Sequence, residues 1–188
     1  MGMNSYSGEL DTYKGKIDTY VDGTGGAASG FSGFCAAWKK AADNEFQNAQ
    51  SSIVTEVYYA PAMKLAGKLN VTLDVTKAAI FDSVIVDGPG SSGSNVGGII
   101  SDTNDSIKKN TTGGSKHNLM IGEYKIDEIK WLKIFLNQRV EANPGSKASA
   151  ASYNYIISHE EYEWSSGAIT ALDDSDNKQT IKCVKKSD

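Results

Sequence analysis

A stretch from Asn44 to Gly90 most constrains what this chain can become, because it reads as three consecutive helices with little room for strand. Phe46, Ala49, Ile53 and Val57 recur at three- and four-residue steps, which places an apolar stripe along one side of a helix. Pro61 cannot continue that helix, but it suits the first turn of a new one carried by Ala62, Met63, Leu65, Ala66 and Leu69. A third helix is expected from Asp74 to Asp87, with Asp74 as its cap and Gly88-Pro89 behind it. A run this helical predicts a mainly α fold.

Within the third helix, Asp82 stands in Ala-Ala-Ile-Phe-Asp-Ser-Val-Ile-Val, where almost every neighbour favours burial. A buried carboxylate is costly without a partner. The chain has a single arginine, Arg139, spaced seven residues after Leu132, four after Phe135 and three after Leu136. It therefore lies on the apolar stripe of its own helix. All the other basic residues are lysines, so one inward arginine points to a need for a bidentate, permanently charged fork. Asp82 and Arg139 are expected to meet in the interior as a structural ion pair; the alternative is that both are edge residues with solvated heads.

Length and composition fit one domain, residues 1–188, with a core of ordinary size. A formal charge of −4 argues against a nucleic-acid partner and suits a polycation. No apolar run approaches a membrane span, and the start, MGMNSYSGELDTYK, has no apolar core of a signal peptide. Cys35 and Cys183 form either one bridge or two separate thiols. His117 and His159 lack metal-ligand spacing, so neither a metal nor another cofactor is expected. Asn70, Asn104 and Asn110 begin glycosylation sequons.

Elsewhere, a helix is expected over residues 7–21, a glycine-rich loop over 22–33 and a helix from Phe34 to Ala42. Helices follow through Ile99, Ile100 and Ile107, over 126–141, and over 149–164 along Tyr153, Ile156, Ile157 and Glu160. Residues 109–116 read as a loop, and 168–184 as a loop or short hairpin.

Five segments in order resemble the chitosanases of glycoside hydrolase family 46. They are Gly33-Phe34-Cys35-Ala36-Ala37-Trp38, Phe46-Gln47-Asn48-Ala49-Gln50, Tyr58-Tyr59-Ala60-Pro61-Ala62-Met63, the run from Phe81 to Gly88, and Ile126-Asp127-Glu128 onward to Arg139. The resemblance runs from about Leu10 to the C-terminus. It implies a lysozyme-like, two-lobed, mainly helical fold and inverting cleavage of the β-1,4 bond of chitosan, an extracellular task.

Inverting hydrolysis needs two carboxyl groups about 6.5–9.5 Å apart, one acid and one base. In the family these are a Glu and an Asp near the N-terminus, the Asp in a D-G-R-G-Y-T loop. Aligned on the match after Leu10, this chain starts downstream of both and of the short sheet-bearing segment. On that placement the pair comes from an upstream segment or a partner chain, and this chain alone is catalytically incompetent. An alternative is a non-catalytic lobe that binds polysaccharide or serves as a scaffold. A second placement makes Asp22, in Asp22-Gly-Thr-Gly-Gly, the base and Glu9 the acid, but it lacks the Arg, Tyr and Thr of the loop.

Further carboxylates invite a binding role. Glu160, Glu161 and Glu163 cluster beside Trp164, and Glu56 precedes Val57-Tyr58-Tyr59. Such a face suits a glucosamine chain through its ammonium groups and sugar faces, or simply a solvated helix side. Asp87 replaces the family's His before Gly-Pro-Gly and is a candidate binding residue in the cleft. Ala151-Ser152-Tyr153-Asn154 replaces the family's A-R-V-D, which puts the buried charge network in doubt.

Overall fold

The structure, a computed structural model, describes residues 8–21, 31–40, 44–108, 116–164, 167–173 and 175–182. The chain divides into two compact units, Met1–Glu56 and Val57–Asp188.

The first unit holds α1 (Gly8–Val21), α2 (Phe34–Lys40) and α3 (Asn44–Ile53). Leu10, Ala37 and Phe46 form its small core, with Tyr13 and Phe34 packed against them. The Tyr13 hydroxyl donates to the Ser32 carbonyl at 2.8 Å. That contact fixes the turn before α2, where Gly33 adopts φ +80°. Of the stripe expected on α3, Phe46 is buried, whereas Ile53 is exposed.

After Ile53 the backbone changes pitch to a π-helix, Val54–Tyr59. Hydrogen bonds to the fifth residue shift the angular register, so Val57 does not extend the α3 stripe and is exposed. Pro61 then opens α4 (Ala60–Lys68) at its first turn. There its missing N–H costs nothing, and the carbonyl four residues back belongs to Val57, inside the wider π-helix.

The second unit is a helical assembly around α5 (Asp74–Asp87), α6 (Val96–Lys108), α7 (Glu128–Ala142) and α8 (Lys147–Ser158). α5 touches α4, α6, α7 and α8, and α7 touches α5, α6, α8 and both strands of the first hairpin, so these two helices form the centre of this unit. Val75, Ala79, Ile80 and Val84 of α5 are fully buried, as are Trp131, Leu132, Phe135 and Leu136 of α7. Trp131 stacks on Phe135 with ring centroids 5.2 Å apart, and its indole N–H donates to Asn104 of α6 at 2.9 Å. A buried indole is affordable only with such an acceptor.

Two antiparallel hairpins complete the unit. β1 (Asn118–Ile121) pairs with β2 (Tyr124–Asp127) through a tight Gly122-Glu123 turn, with Gly122 at φ +62°. β3 (Ala168–Leu172) pairs with β4 (Lys178–Lys182). The expected helix over 126–141 thus begins two residues later, because Ile126 and Asp127 belong to β2. The Asp127 carboxylate accepts from Lys130 N at 2.8 Å and caps α7. The helix expected over 149–164 ends earlier, at Ser158, and Glu160 takes φ +58° just beyond it.

Candidate functional site

α7 turns Arg139 inward, and its side chain is completely buried. The guanidinium is divided between two carboxylates of α5. Nη1 donates to Asp82 Oδ2 at 2.6 Å, and Nε donates to Asp87 Oδ2 at 2.7 Å. The structure thus brings together Asp82 and Arg139, the two residues expected to pair, and adds Asp87 as a second acid on the same fork.

The more deeply buried acid is Asp87, not Asp82. Asp87 is 1% exposed in its side chain, Asp82 30%. Asp87 also accepts from Ser83 Oγ, and its Oδ1 accepts from Asn143 Nδ2 at 2.8 Å. Asn143 in turn donates to the Ser94 carbonyl at 3.0 Å, which ties the loop before α6 to the end of α7. With both oxygens engaged and shielded, Asp87 is a structural anchor here rather than a residue presented to a cleft. Ser149 of α8 completes the group: it accepts from Nη1 at 3.2 Å and donates to Asp82 Oδ2.

Tyr153, one turn along α8 from Ser149, reports the field of this network. Burial pushes its hydroxyl pKa well above the ordinary value of 10.0; the Asp82 charge raises it further, and Arg139 opposes with less effect.

Sequence reasoning missed a third buried carboxylate. Glu128, fully buried at the start of α7, accepts from Thr72 N, Thr72 Oγ1 at 2.7 Å and Leu73 N at 3.0 Å. Leu73 is the N-cap of α5 and makes no side-chain cap itself. Glu128 therefore takes, from another element, the N-cap N–H of α5, while Asp74, expected as the cap, is the first residue inside the helix. Because the Thr72 hydroxyl gives its proton to Glu128, its oxygen is left to accept from His117 Nδ1 at 3.2 Å. The signal was present in the Ile-Asp-Glu run, but its target lies 55 residues away in sequence.

Three of the acids, Glu160, Glu161 and Glu163, gather in one place. A groove of about 580 Å³ is lined by Lys116, His117, Glu160, Glu161 and Glu163, with Tyr162 and Leu73 as its apolar side. Glu160 and Glu163 are exposed. Glu161 is partly spent, since its Oε2 accepts from Thr170 N at 2.7 Å. Trp164 is turned elsewhere: its backbone N–H donates to the Asp74 carboxylate at 3.1 Å, and its indole N–H donates to the Glu161 carbonyl at 3.0 Å.

Glu9 lies in α1, but its side chain is outside the described residues, as are Asp22 and Cys183 altogether. Cys35 is an exposed free thiol, and Glu56 is exposed in the π-helix. Among the described residues no cluster of His, Cys, Asp or Glu is arranged to hold a metal ion, and no helix is long and apolar enough to cross a membrane.

A sequence profile of glycosyl hydrolase family 46 matches residues 8–158. The chain belongs to that family. It is 36% identical over 114 residues to a chitosanase of Bacillus subtilis strain 168, a match covering 60% of this chain and 37% of that protein. Its fold is similar to that of the native chitosanase from Bacillus subtilis MY002, with a TM-score of 0.72 and 25% identity, over 96% of this chain and 74% of that one. It is also similar to the family-46 chitosanase of Gynuella sunshinyii solved with chitotetraose, with a TM-score of 0.73 and 20% identity, over 92% and 71% of the two chains.

Proposed function

We propose that this chain is the helical lobe of a hydrolase that cuts β-1,4-linked glucosamine polymer by inversion, using two carboxyl groups. The observation that carries the reading is the family match over residues 8–158. The ligands of its structural neighbours, 6 GlcN in a Bacillus complex and chitotetraose in that of Gynuella, support the substrate class.

Asp82, Asp87 and Glu128 do not serve as the reacting pair in this reading. Each is fixed by Arg139 or by backbone N–H groups and serves to hold helices together. In this reading the acid and base are supplied by other carboxylates, on a further family-46 segment or a partner chain, as the resemblance implies. The groove bearing Glu160 and Glu163 contributes substrate affinity, because exposed carboxylates attract the ammonium groups of glucosamine. The natural setting is extracellular, where the polymer is met.

The test is to measure reducing ends released from chitosan by this polypeptide, alone and fused to a family-46 segment that carries the Glu and Asp. Binding without release by the chain alone, with release on fusion, is the expected result. Release by the isolated chain, abolished by Glu9→Gln, would instead place the acid on α1. Binding without release in both forms favours a polysaccharide-binding lobe, for which the acidic groove is the specific support.

A further inference from the structure

A second cavity, of about 420 Å³, lies between α5, α8 and the β3–β4 hairpin. Its walls are mainly hydrocarbon, with the side chains of Phe81, Tyr153 and Trp164 among the lining and Ser149 and Ser152 as polar points. Asp82 is the one charged residue among the described residues that line it.

The charge balance behind that wall is uneven. Asp82 and Asp87 each accept from a guanidinium N–H within 2.7 Å, so two carboxylates share one cation. One positive charge against two negative ones leaves the cluster at −1. Asp87 is sealed off, whereas Asp82 keeps 30% of its side chain exposed. Both of Asp82's side-chain bonds, from Arg139 and Ser149, fall on Oδ2, and among the described residues none falls on Oδ1. The residual charge therefore faces the cavity through Asp82. The Tyr153 hydroxyl agrees with this sign, since the influence of Asp82 on it exceeds that of Arg139.

We propose that this cavity binds a small organic cation, a primary or quaternary ammonium carrying an apolar body, with Asp82 as its counter-ion. The ammonium neutralises the spare charge in a site of reduced dielectric, where such a pair is stronger than in water. The apolar body fills the hydrocarbon walls, and the aromatic rings offer faces that attract cations. A glucosamine unit is polar over most of its surface and belongs to a different class of ligand. The inference does not depend on the chain acting as a hydrolase.

The probe is 2-phenylethylammonium, titrated into the unaltered chain at neutral pH and followed by calorimetry and by the indole resonance of Trp164. Its neutral analogue 2-phenylethanol and free glucosamine serve as comparisons. Saturable binding of the ammonium that shifts the Trp164 signal is expected, with both comparisons at least roughly tenfold weaker, as loss of a charge-assisted contact or of the apolar body requires. Ala148→Leu and Ala78→Leu, which fill the cavity from α8 and α5, should each abolish binding while circular dichroism shows the fold retained. Equal affinity for the ammonium and the alcohol, equal affinity for glucosamine, or no binding of the ammonium would overturn the proposal. So would binding that persists in both folded variants. The comparison of ligands on the unaltered chain decides the matter even where a variant does not fold.

Discussion

Arg139 makes a different demand on each of its two acids. Removing one partner of a fully buried pair costs about 3–5 kcal/mol, because the remaining charge is stranded. Asp87 meets that condition at 1% exposure, and it also satisfies Ser83 and Asn143. Asp82, open to the cavity, can be replaced in part by water, so its loss should cost nearer 1–3 kcal/mol. Urea denaturation of Asp87→Ala and Asp82→Ala should therefore rank Asp87 as the more damaging by a clear margin; equal costs would mean that the burial difference carries no energy. Tyr153 supplies a pH dependence whose sign follows from its environment. Its folded pKa is raised, so its contribution to stability is complete below the ordinary tyrosine value of about 10.0 and is lost as pH climbs above it. Tyr153→Phe should flatten the alkaline slope of stability against pH, and an unchanged slope would assign it to other groups.

At the scale of elements, the loop joining α5 to α6 is set by close backbone approach. A Cβ on Gly97 would stand 2.7 Å from both the Gly90 carbonyl oxygen and Ser91 Cα, and one on Gly98 would overlap the Gly93 carbonyl. Neither glycine is exchangeable for alanine without moving backbone, although alanine is the better helix former. Gly97→Ala and Gly98→Ala should each destabilise the fold by about 1–3 kcal/mol. Gly67 in α4 has nothing within 4 Å of its added Cβ, so Gly67→Ala should stabilise by about 0.5–1 kcal/mol. Thermal melts of the three variants test the contrast in sign. The β3–β4 turn is closed locally: Asp173 accepts from Ser175 N and Asn177 N, both at 2.9 Å, which is how an Asp-rich stretch becomes a hairpin connection instead of a loose loop.

For the molecule as a whole, the second unit leaves an apolar stripe in solvent. Ile85 and Val86 of α5 are 48% and 60% exposed, and Tyr59, whose ring meets Phe81 at 5.8 Å, is 50% exposed. Contiguous apolar surface of this kind favours association. Sedimentation velocity should show an average mass that rises with concentration, and Ile85→Lys with Val86→Lys should suppress the rise. A single monomeric species for the unaltered chain at all concentrations would show that the stripe drives nothing.

Much of this was legible in the chain itself, because helices and their local stops depend on neighbours in sequence. The periodicity of α5 and α7, the break at Pro61 and the inward position of the sole arginine follow from spacing and from the cost of burying a charge. Five short segments in register also pointed to the family. Tertiary structure alone decided that Arg139 holds Asp87 as well as Asp82, that Glu128 accepts from Leu73 N–H 55 residues earlier, and that Asp87 is sealed while Asp82 faces a cavity. Burial and hydrogen-bond partnership at those positions are set by elements that meet only after the chain has packed, and no local pattern encodes them.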